Sequence, residues 1–110
     1  AMAYDEKLAE RIREVLKRRR GVSEKEMFGG LAFLVNGHMA CGVQGDDLMV
    51  RVGPEDYDSA LKKTGARPMD FTGRPLKGMV YVGPRGHRRA PSLKAWVEQG
   101  LSYVRSLPPK

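Results

Sequence analysis

The sequence contains few of the residues from which metal sites and disulfide frameworks are built. Among 110 residues there are one cysteine and two histidines. A single cysteine cannot form an internal disulfide, and this set cannot supply the ligands of a structural zinc site. The acidic residues lack metal-ligand spacing as well, so we expect no metal and no cofactor. A chain without disulfides is typical of a reducing compartment, which makes a cytoplasmic location the expectation.

Long apolar runs are also missing, so we expect no membrane-spanning segment and no signal peptide. With 41% hydrophobic residues, a chain of this length can bury one core without cross-links. We therefore expect a single domain over residues 4–108, preceded by a cloning remnant at residues 1–3. Positive charge is in excess, because the sequence contains 20 lysines and arginines and 13 acidic residues. The excess favours anionic partners in general without identifying one.

The stretch from Met27 to Val52 carries the clearest structural signal. Asn36-Gly37 joins two apolar runs and is a strong signal for a two-residue hairpin turn, and a third run follows Gly45-Asp46. This pattern predicts a three-stranded antiparallel meander. A regular register places these side chains on its core face: Ala32, Leu34, Met39, Cys41, Val43, Leu48, Val50 and Val52. A three-residue second turn would instead swap the faces of the third strand.

The opposite face of the meander is predicted to be half apolar. It would carry Leu31, Phe33, Val35, Ala40 and Met49 together with His38, Gln44, Asp47 and Arg51. A face of this kind is too apolar for plain solvent surface, so a loop or a second subunit is expected on it. The glycine pair at Gly29 and Gly30 indicates a sharp bend before the meander, although a bulge or a close ligand would also explain it.

The remaining segments alternate between helical and strand patterns. Apolar spacing predicts helices over residues 4–19, over a short stretch between 53 and 65, and over residues 92–107. Strand patterns occur at residues 25–28, 69–71 and 77–82, and residues 83–91 are predicted to form a loop. Gly100 costs the last helix about 1 kcal/mol of propensity relative to alanine, which indicates close packing there.

Catalytic constellations are not evident in the sequence. Cys41 and His38 lie three apart in one predicted strand and therefore point to opposite faces, so Cys41 is expected to be a small buried hydrophobe. Asp46 and Asp47 belong to a hairpin turn, where aspartate is favoured for local hydrogen bonding. Phosphate-loop and dinucleotide motifs are absent. We expect no enzyme and assign no catalytic residues.

A basic segment is the one functional candidate that charge alone proposes. Between Arg67 and Lys94 a single acid, Asp70, accompanies seven cations: Arg67, Arg74, Lys77, Arg85, Arg88, Arg89 and Lys94. Within it Arg85, His87, Arg88 and Arg89 precede a predicted helix N-terminus, where free amides favour an anion. These four residues form a candidate phosphate or nucleic-acid site. A merely solubilising role is the alternative, because aromatic residues for base stacking are not interleaved with them.

Several segments in their order resemble the TfoX N-terminal domain family. They are MFGG at residues 27–30, LMVRV at 48–52, DFTGRPLKGMVYV at 70–82, Trp96, and SLP at 106–108. The resemblance implies an α+β, two-layer domain of order α-β(3)-α-β(2)-α, with one antiparallel sheet similar to the secretion-chaperone fold. Better-known members regulate bacterial competence genes and carry a further C-terminal helical domain. This sequence ends at Lys110, so we expect a stand-alone domain.

The expected function is that of a non-enzymatic regulatory or interaction module, linked to transcriptional or competence regulation through protein–protein contacts. A protein partner or a homodimer is expected to contact the half-apolar sheet face and the preceding bend. The candidate contact residues are Gly29, Gly30, Leu31, Phe33 and Met49. The alternative function is that of a nucleic-acid-binding accessory protein that uses the segment between Arg67 and Lys94.

Overall fold

The residues that the structure describes form four helices and six strands. The computed structural model describes residues 4–27, 29–70, 73 and 75–109. The elements are α1 (Glu6–Leu16), β1 (Val22–Met27), β2 (Gly30–Val35), β3 (His38–Gln44), β4 (Asp47–Arg51), α2 (Tyr57–Leu61), β5 (Ala66–Asp70), β6 (Pro75–Val82), α3 (Pro84–His87) and α4 (Ala90–Arg105).

Within the described ranges, the six strands form one antiparallel sheet in the order β1-β2-β3-β4-β6-β5. The helices bury their apolar side chains against one face of this sheet and form a single core with it. The predicted α+β class with one antiparallel sheet is therefore confirmed. Four strands precede α2, whereas the resemblance implied three. The additional strand is β1, which the residue pattern predicted at residues 25–28.

The two long helices lie close to their predicted positions: α1 falls within the predicted range 4–19, and α4 begins two residues before the predicted start at residue 92. Asp5 caps α1, because its side-chain oxygen accepts hydrogen bonds from the backbone N–H of Lys7 at 2.9 Å and of Leu8 at 3.2 Å. In α4 one face is buried at helical spacing, with Leu93, Trp96, Val97, Gly100, Leu101 and Val104. The short helix α3 lies in the segment predicted to be a loop. Pro84 starts it, since proline suits the first helical turn.

The first hairpin contains an irregularity that the sequence did not reveal. The pairs Val35 with His38 and Leu34 with Met39 are those expected from the Asn36-Gly37 turn. The register then shifts, so that Phe33 pairs with Cys41 and Ala40 becomes the extra residue of a bulge in β3. The predicted two-residue turn at Gly45-Asp46 is confirmed by the pairing of Val43 with Leu48.

This bulge reverses the predicted faces of β2. Leu31, Phe33 and Val35 lie on the helix-covered side, in the same core as Cys41, Val43, Leu48 and Val50. The assignment of Ala32 and Leu34 to that core was wrong, because a one-residue change of register moves every side chain of a strand to the other face. The helix-free face instead carries a row across the sheet: Lys25, Ala32, Gly42, Met49, Tyr81 and Arg67.

Among the described residues, none of the helices combines the length and the apolar character needed to cross a bilayer.

Candidate functional site

The cysteine is enclosed by the core. Cys41 has no exposed surface, and burial raises its pKa to about 12. His38 lies elsewhere, with its Nε2 atom 2.6 Å from the carbonyl oxygen of Pro108. The expectation that Cys41 is a small buried hydrophobe is confirmed. Within the described ranges, no group of three or more histidine, cysteine, aspartate or glutamate side chains is placed to hold a metal ion.

The predicted partner surface does not exist in the form expected from the sequence. Phe33 is fully buried and Leu31 is 5% exposed, both beneath the helices. Their assignment to a contact surface was wrong, because the bulge turns them inward. Met49 does lie on the helix-free face, yet it is buried there, and its terminal methyl would lie 2.8 Å from a Cβ added to Gly42. The side chain of Met49 therefore occupies the space above Gly42.

The glycine pair has a structural explanation. Gly29 is exposed with a φ of +72° in the turn between β1 and β2, which is a conformation that favours glycine. Gly30 is buried, and a Cβ added there would lie 2.0 Å from the carbonyl oxygen of Val43. The predicted bend is thus confirmed, and close packing of β2 on β3 accounts for the second glycine.

A polar network covers part of the helix-free face. The hydroxyl of Tyr81 donates to the side-chain oxygen of Gln44 at 2.5 Å. Arg67 donates to both carboxylate oxygens of Asp47, at 3.2 and 2.6 Å, and its guanidinium lies 4.9 Å from the centre of the Tyr81 ring. Burial is the main cause of the raised pKa of Tyr81. Because Arg67 already has a carboxylate partner, it is a weak candidate for binding an external anion.

The basic segment before α4 is only partly available to a ligand. Arg85, Arg88 and Arg89 are exposed, whereas His87 is 4% exposed and its Nε2 donates to the carbonyl oxygen of Asp46 at 2.9 Å. The assignment of His87 to a surface anion site was therefore wrong, since its ring faces the interior. Of the seven cations in the basic segment, Arg74 lies outside the described residues.

A groove between α1 and α4, which we call the α1–α4 groove, is the main feature that the sequence did not predict. Its volume is about 480 Å³. Apolar contributions come from Val15, Ala90 and Leu93, and the cations around them are Arg11, Lys17, Arg18, Arg19 and Lys94. Glu14 is the acid in this lining. Five cations against one acid make the groove strongly positive.

Three of the five cations have partners inside the domain, and the other two have none in the part of the chain that the structure describes. Lys17 pairs with Glu14 at 2.7 Å, Arg19 pairs with Glu98, and Arg11 donates to the carbonyl oxygens of His87 and Arg88. Arg18 and Lys94 are exposed and make no hydrogen bond or ion pair within the described part of the chain. These two cations are therefore available to an external carboxylate or phosphate.

Comparison with known families assigns the chain to a family. The family model of the TfoX N-terminal domain matches residues 14–103. The chain belongs to the TfoX N-terminal domain family. No curated protein matches significantly, and no solved structure does. Membership indicates a competence-related or regulatory type of domain.

The matched part of this TfoX N-terminal domain contains most of the α1–α4 groove. It includes Val15, Arg18 and Arg19 on one side and Ala90, Leu93 and Lys94 on the other. In the sequence, Arg11, Val15 and Arg18 follow helical spacing, which is the signal that could have placed them on one face. These residues lie beside the start of α4, which is more than seventy residues away in the sequence. Local sequence patterns do not predict such a tertiary contact.

Proposed function

We propose that this TfoX N-terminal domain is a non-enzymatic regulatory module that acts by binding a protein partner at the α1–α4 groove. The observation that carries the proposal is the combination of an apolar floor with two cations, Arg18 and Lys94, that have no partner among the residues that the structure describes. Apolar contacts supply affinity, while surrounding charges supply specificity and faster association. The burial of Cys41 supports a role without nucleophilic catalysis.

The groove is a better candidate than the helix-free sheet face. On the sheet face, Met49 is buried and Arg67 is paired with Asp47. At the groove, by contrast, Val15 is half-buried and both free cations are exposed. A partner that binds there gains contacts without first breaking an ion pair of the domain.

Charge reversal at the groove tests the proposal. The variant Arg18→Glu/Lys94→Glu changes two exposed side chains, so the fold should persist. Its matched control is Lys25→Glu/Lys77→Glu, which changes net charge equally at exposed positions on β1 and β6 that do not line the groove. After circular dichroism confirms folding, each protein is used to capture partners from the native cytoplasm, and captured proteins are quantified by mass spectrometry.

We expect the wild type and the control variant to retain the same specific protein and the groove variant to lose it. If the groove variant retains it as well, or if the wild type retains no specific protein, the proposal is wrong. Sizing by light scattering in the same preparations shows whether the partner is a second copy of the chain.

Nucleic-acid binding is a second candidate, favoured by the exposure of Arg85, Arg88 and Arg89 immediately before α4. None of the three side chains has a hydrogen bond or an ion pair within the described residues. If they contact phosphates, affinity for duplex DNA should fall steeply with salt, and Arg88→Ala/Arg89→Ala should reduce the log–log slope by about 2. Binding that is undetectable at low salt, or a slope that this variant leaves unchanged, would exclude the candidate.

A further inference from the structure

The α1–α4 groove has the chemistry of a site for a helix. We propose that its occupant is an acidic amphipathic helix of the partner protein, and this inference rests on the proposed function. In helix-in-groove recognition the apolar face of a helix lies in an apolar trough. Here Val15 and Leu93 line the trough, and the rim is cationic, so the complementary helix has apolar residues on one face and carboxylates beside them.

The length of the site fits several helical turns. A second depression of about 630 Å³ adjoins the groove, with the segment after α1 (residues 18–20) on one side and α4 on the other, and it shares Arg18 and Arg19 with the groove. It ends at Arg105 and Ser106, whereas the groove begins at Ala90. The 16 residues of α4 therefore run beside the whole site, which corresponds to about 24 Å at 1.5 Å per residue. A bound helix of about four turns would span it.

Cations without an ion pair among the described residues lie at both ends of the site. Lys94 lies in the groove, Arg18 borders both depressions, and the side chain of Arg20 in the second one has no ion pair within the described ranges. Arg105, also in the second depression, donates to the backbone oxygen of Arg20 and has no ion pair with another described residue. Carboxylates on the flanks of a docked helix would meet these cations, and the resulting pairs would fix its orientation.

The lining argues against a nucleic acid as the occupant of this particular site. Among the described residues that line the two depressions there is no phenylalanine, tyrosine or tryptophan. Single strands are usually held by base stacking on aromatic side chains, and a duplex is positioned mainly through polar contacts to its phosphates and sugars. The apolar residues between the cations are instead explained by the nonpolar face of a peptide.

A designed peptide series tests the inference on the intact chain. The probe is a fluorescent peptide of about 16 residues, with leucine at i, i+3, i+4 and i+7 positions, glutamate beside them and alanine elsewhere. One control peptide contains the same residues in an order that removes the amphipathic face, and another has lysine in place of glutamate. Fluorescence anisotropy gives the affinity for the wild type, for Arg18→Glu/Lys94→Glu and for Lys25→Glu/Lys77→Glu.

We expect the acidic amphipathic peptide to bind the wild type at least about tenfold more tightly than either control peptide. The groove variant should lose about tenfold in affinity or more, and the control variant less than about threefold. Equal binding of the reordered acidic peptide would overturn the inference, because attraction would then be by charge alone. Equal loss in both variants would overturn it too, and so would displacement of the peptide by duplex DNA at equimolar concentration.

Failure here is distinguishable from failure of the proposed function. If no acidic helix binds while Arg18→Glu/Lys94→Glu still abolishes capture of a specific protein, the groove is a partner site for another chemistry. If the capture experiment fails as well, both proposals are wrong.

Discussion

Gly100 of α4 packs directly on the backbone of Ala40 in β3, and a Cβ added to Gly100 would lie 2.4 Å from the carbonyl oxygen of Ala40. The contact falls at the bulge, so this glycine lets the helix approach the sheet where β3 is irregular. Replacing glycine by alanine in a helix normally gains about 1 kcal/mol. We expect Gly100→Ala to destabilise the domain instead, by about 2 kcal/mol, because the helix must move away from its core.

Urea denaturation measures this change. The matched control is Ser102→Ala, which alters an exposed position of the same helix and should stay within about 0.5 kcal/mol of the wild type. A Gly100→Ala variant as stable as the wild type would show that α4 does not need this close approach.

Phe33 and Leu34 are neighbours in β2 with opposite roles, and their substitution tests the reversed faces of the strand. Phe33 is fully buried beneath the helices, so Phe33→Ala should cost about 3–5 kcal/mol. Leu34 is half-buried on the helix-free face, and Leu34→Ala should cost about 1 kcal/mol. Chemical denaturation of both variants shows which substitution lowers the free energy of unfolding more. A larger loss for Leu34→Ala would support the register that the sequence alone predicted.

The sequence predicted the strands better than their faces, and β2 shows why. The runs of apolar residues, the Asn36-Gly37 turn and the Gly45-Asp46 turn are local features, and they placed the meander correctly. Both faces of β2 are apolar, with Leu31, Phe33 and Val35 on one and Ala32 and Leu34 on the other. Alternation of polarity therefore could not identify the core face. The extra residue in β3 determines which face of β2 lies in the core, and no residue type in the sequence indicates this bulge.

The candidate site was harder to predict for a related reason. Cations at the end of α1 are expected from the helix dipole alone, so their number gave no indication of a groove. The apolar floor arises only when Val15 of α1 and Leu93 of α4 are brought together by packing on the sheet. Similarly, the sequence placed His87 on the surface because arginines surround it in the basic segment. Its burial depends on tertiary packing, which the local sequence does not show.

Cys41 should make stability fall in alkaline solution. Burial raises its pKa from 9.0 to about 12, so the unfolded chain loses the thiol proton at a pH where the folded chain keeps it. Stability from this group is therefore fully present below pH 9 and declines between about pH 9 and 12, by at most about 1.4 kcal/mol per pH unit. Urea denaturation at several pH values, compared with Cys41→Ala to remove the contributions of lysines and tyrosines, measures the difference in slope.

Thiol reactivity gives an independent check on the same residue. At pH 8 a disulfide reagent such as Ellman's reagent should react slowly with the native domain and rapidly in urea, because the thiolate is the reactive form and the core excludes the reagent. Rapid reaction of the folded protein would contradict the burial of Cys41.

The bidentate pair between Arg13 of α1 and Glu24 of β1 should give a small stabilisation that depends on pH. Arg13 Nε lies 2.7 Å from Oε2 of Glu24 and Nη2 lies 2.8 Å from Oε1, and these hydrogen bonds lower the pKa of Glu24 below its usual 4.5. Both side chains are 37% exposed, so solvent screening limits the coupling to about 0.5–1 kcal/mol at neutral pH. Because the folded pKa is the lower one, this contribution is present above pH 4.5 and is lost as the pH falls through the folded value.

A double-mutant cycle with Arg13→Ala and Glu24→Ala, measured at pH 7 and again at pH 3, tests this prediction. The cycle for Lys17 and Glu14, which are more exposed at 56% and 71%, serves as the control and should give a coupling near zero at both pH values. The edge strand β1 otherwise has mostly exposed side chains, so the Arg13–Glu24 pair is its main polar link to α1 among the described residues. A coupling that is absent at pH 7, or that is unchanged at pH 3, would show that the pair does not hold β1 against the helix.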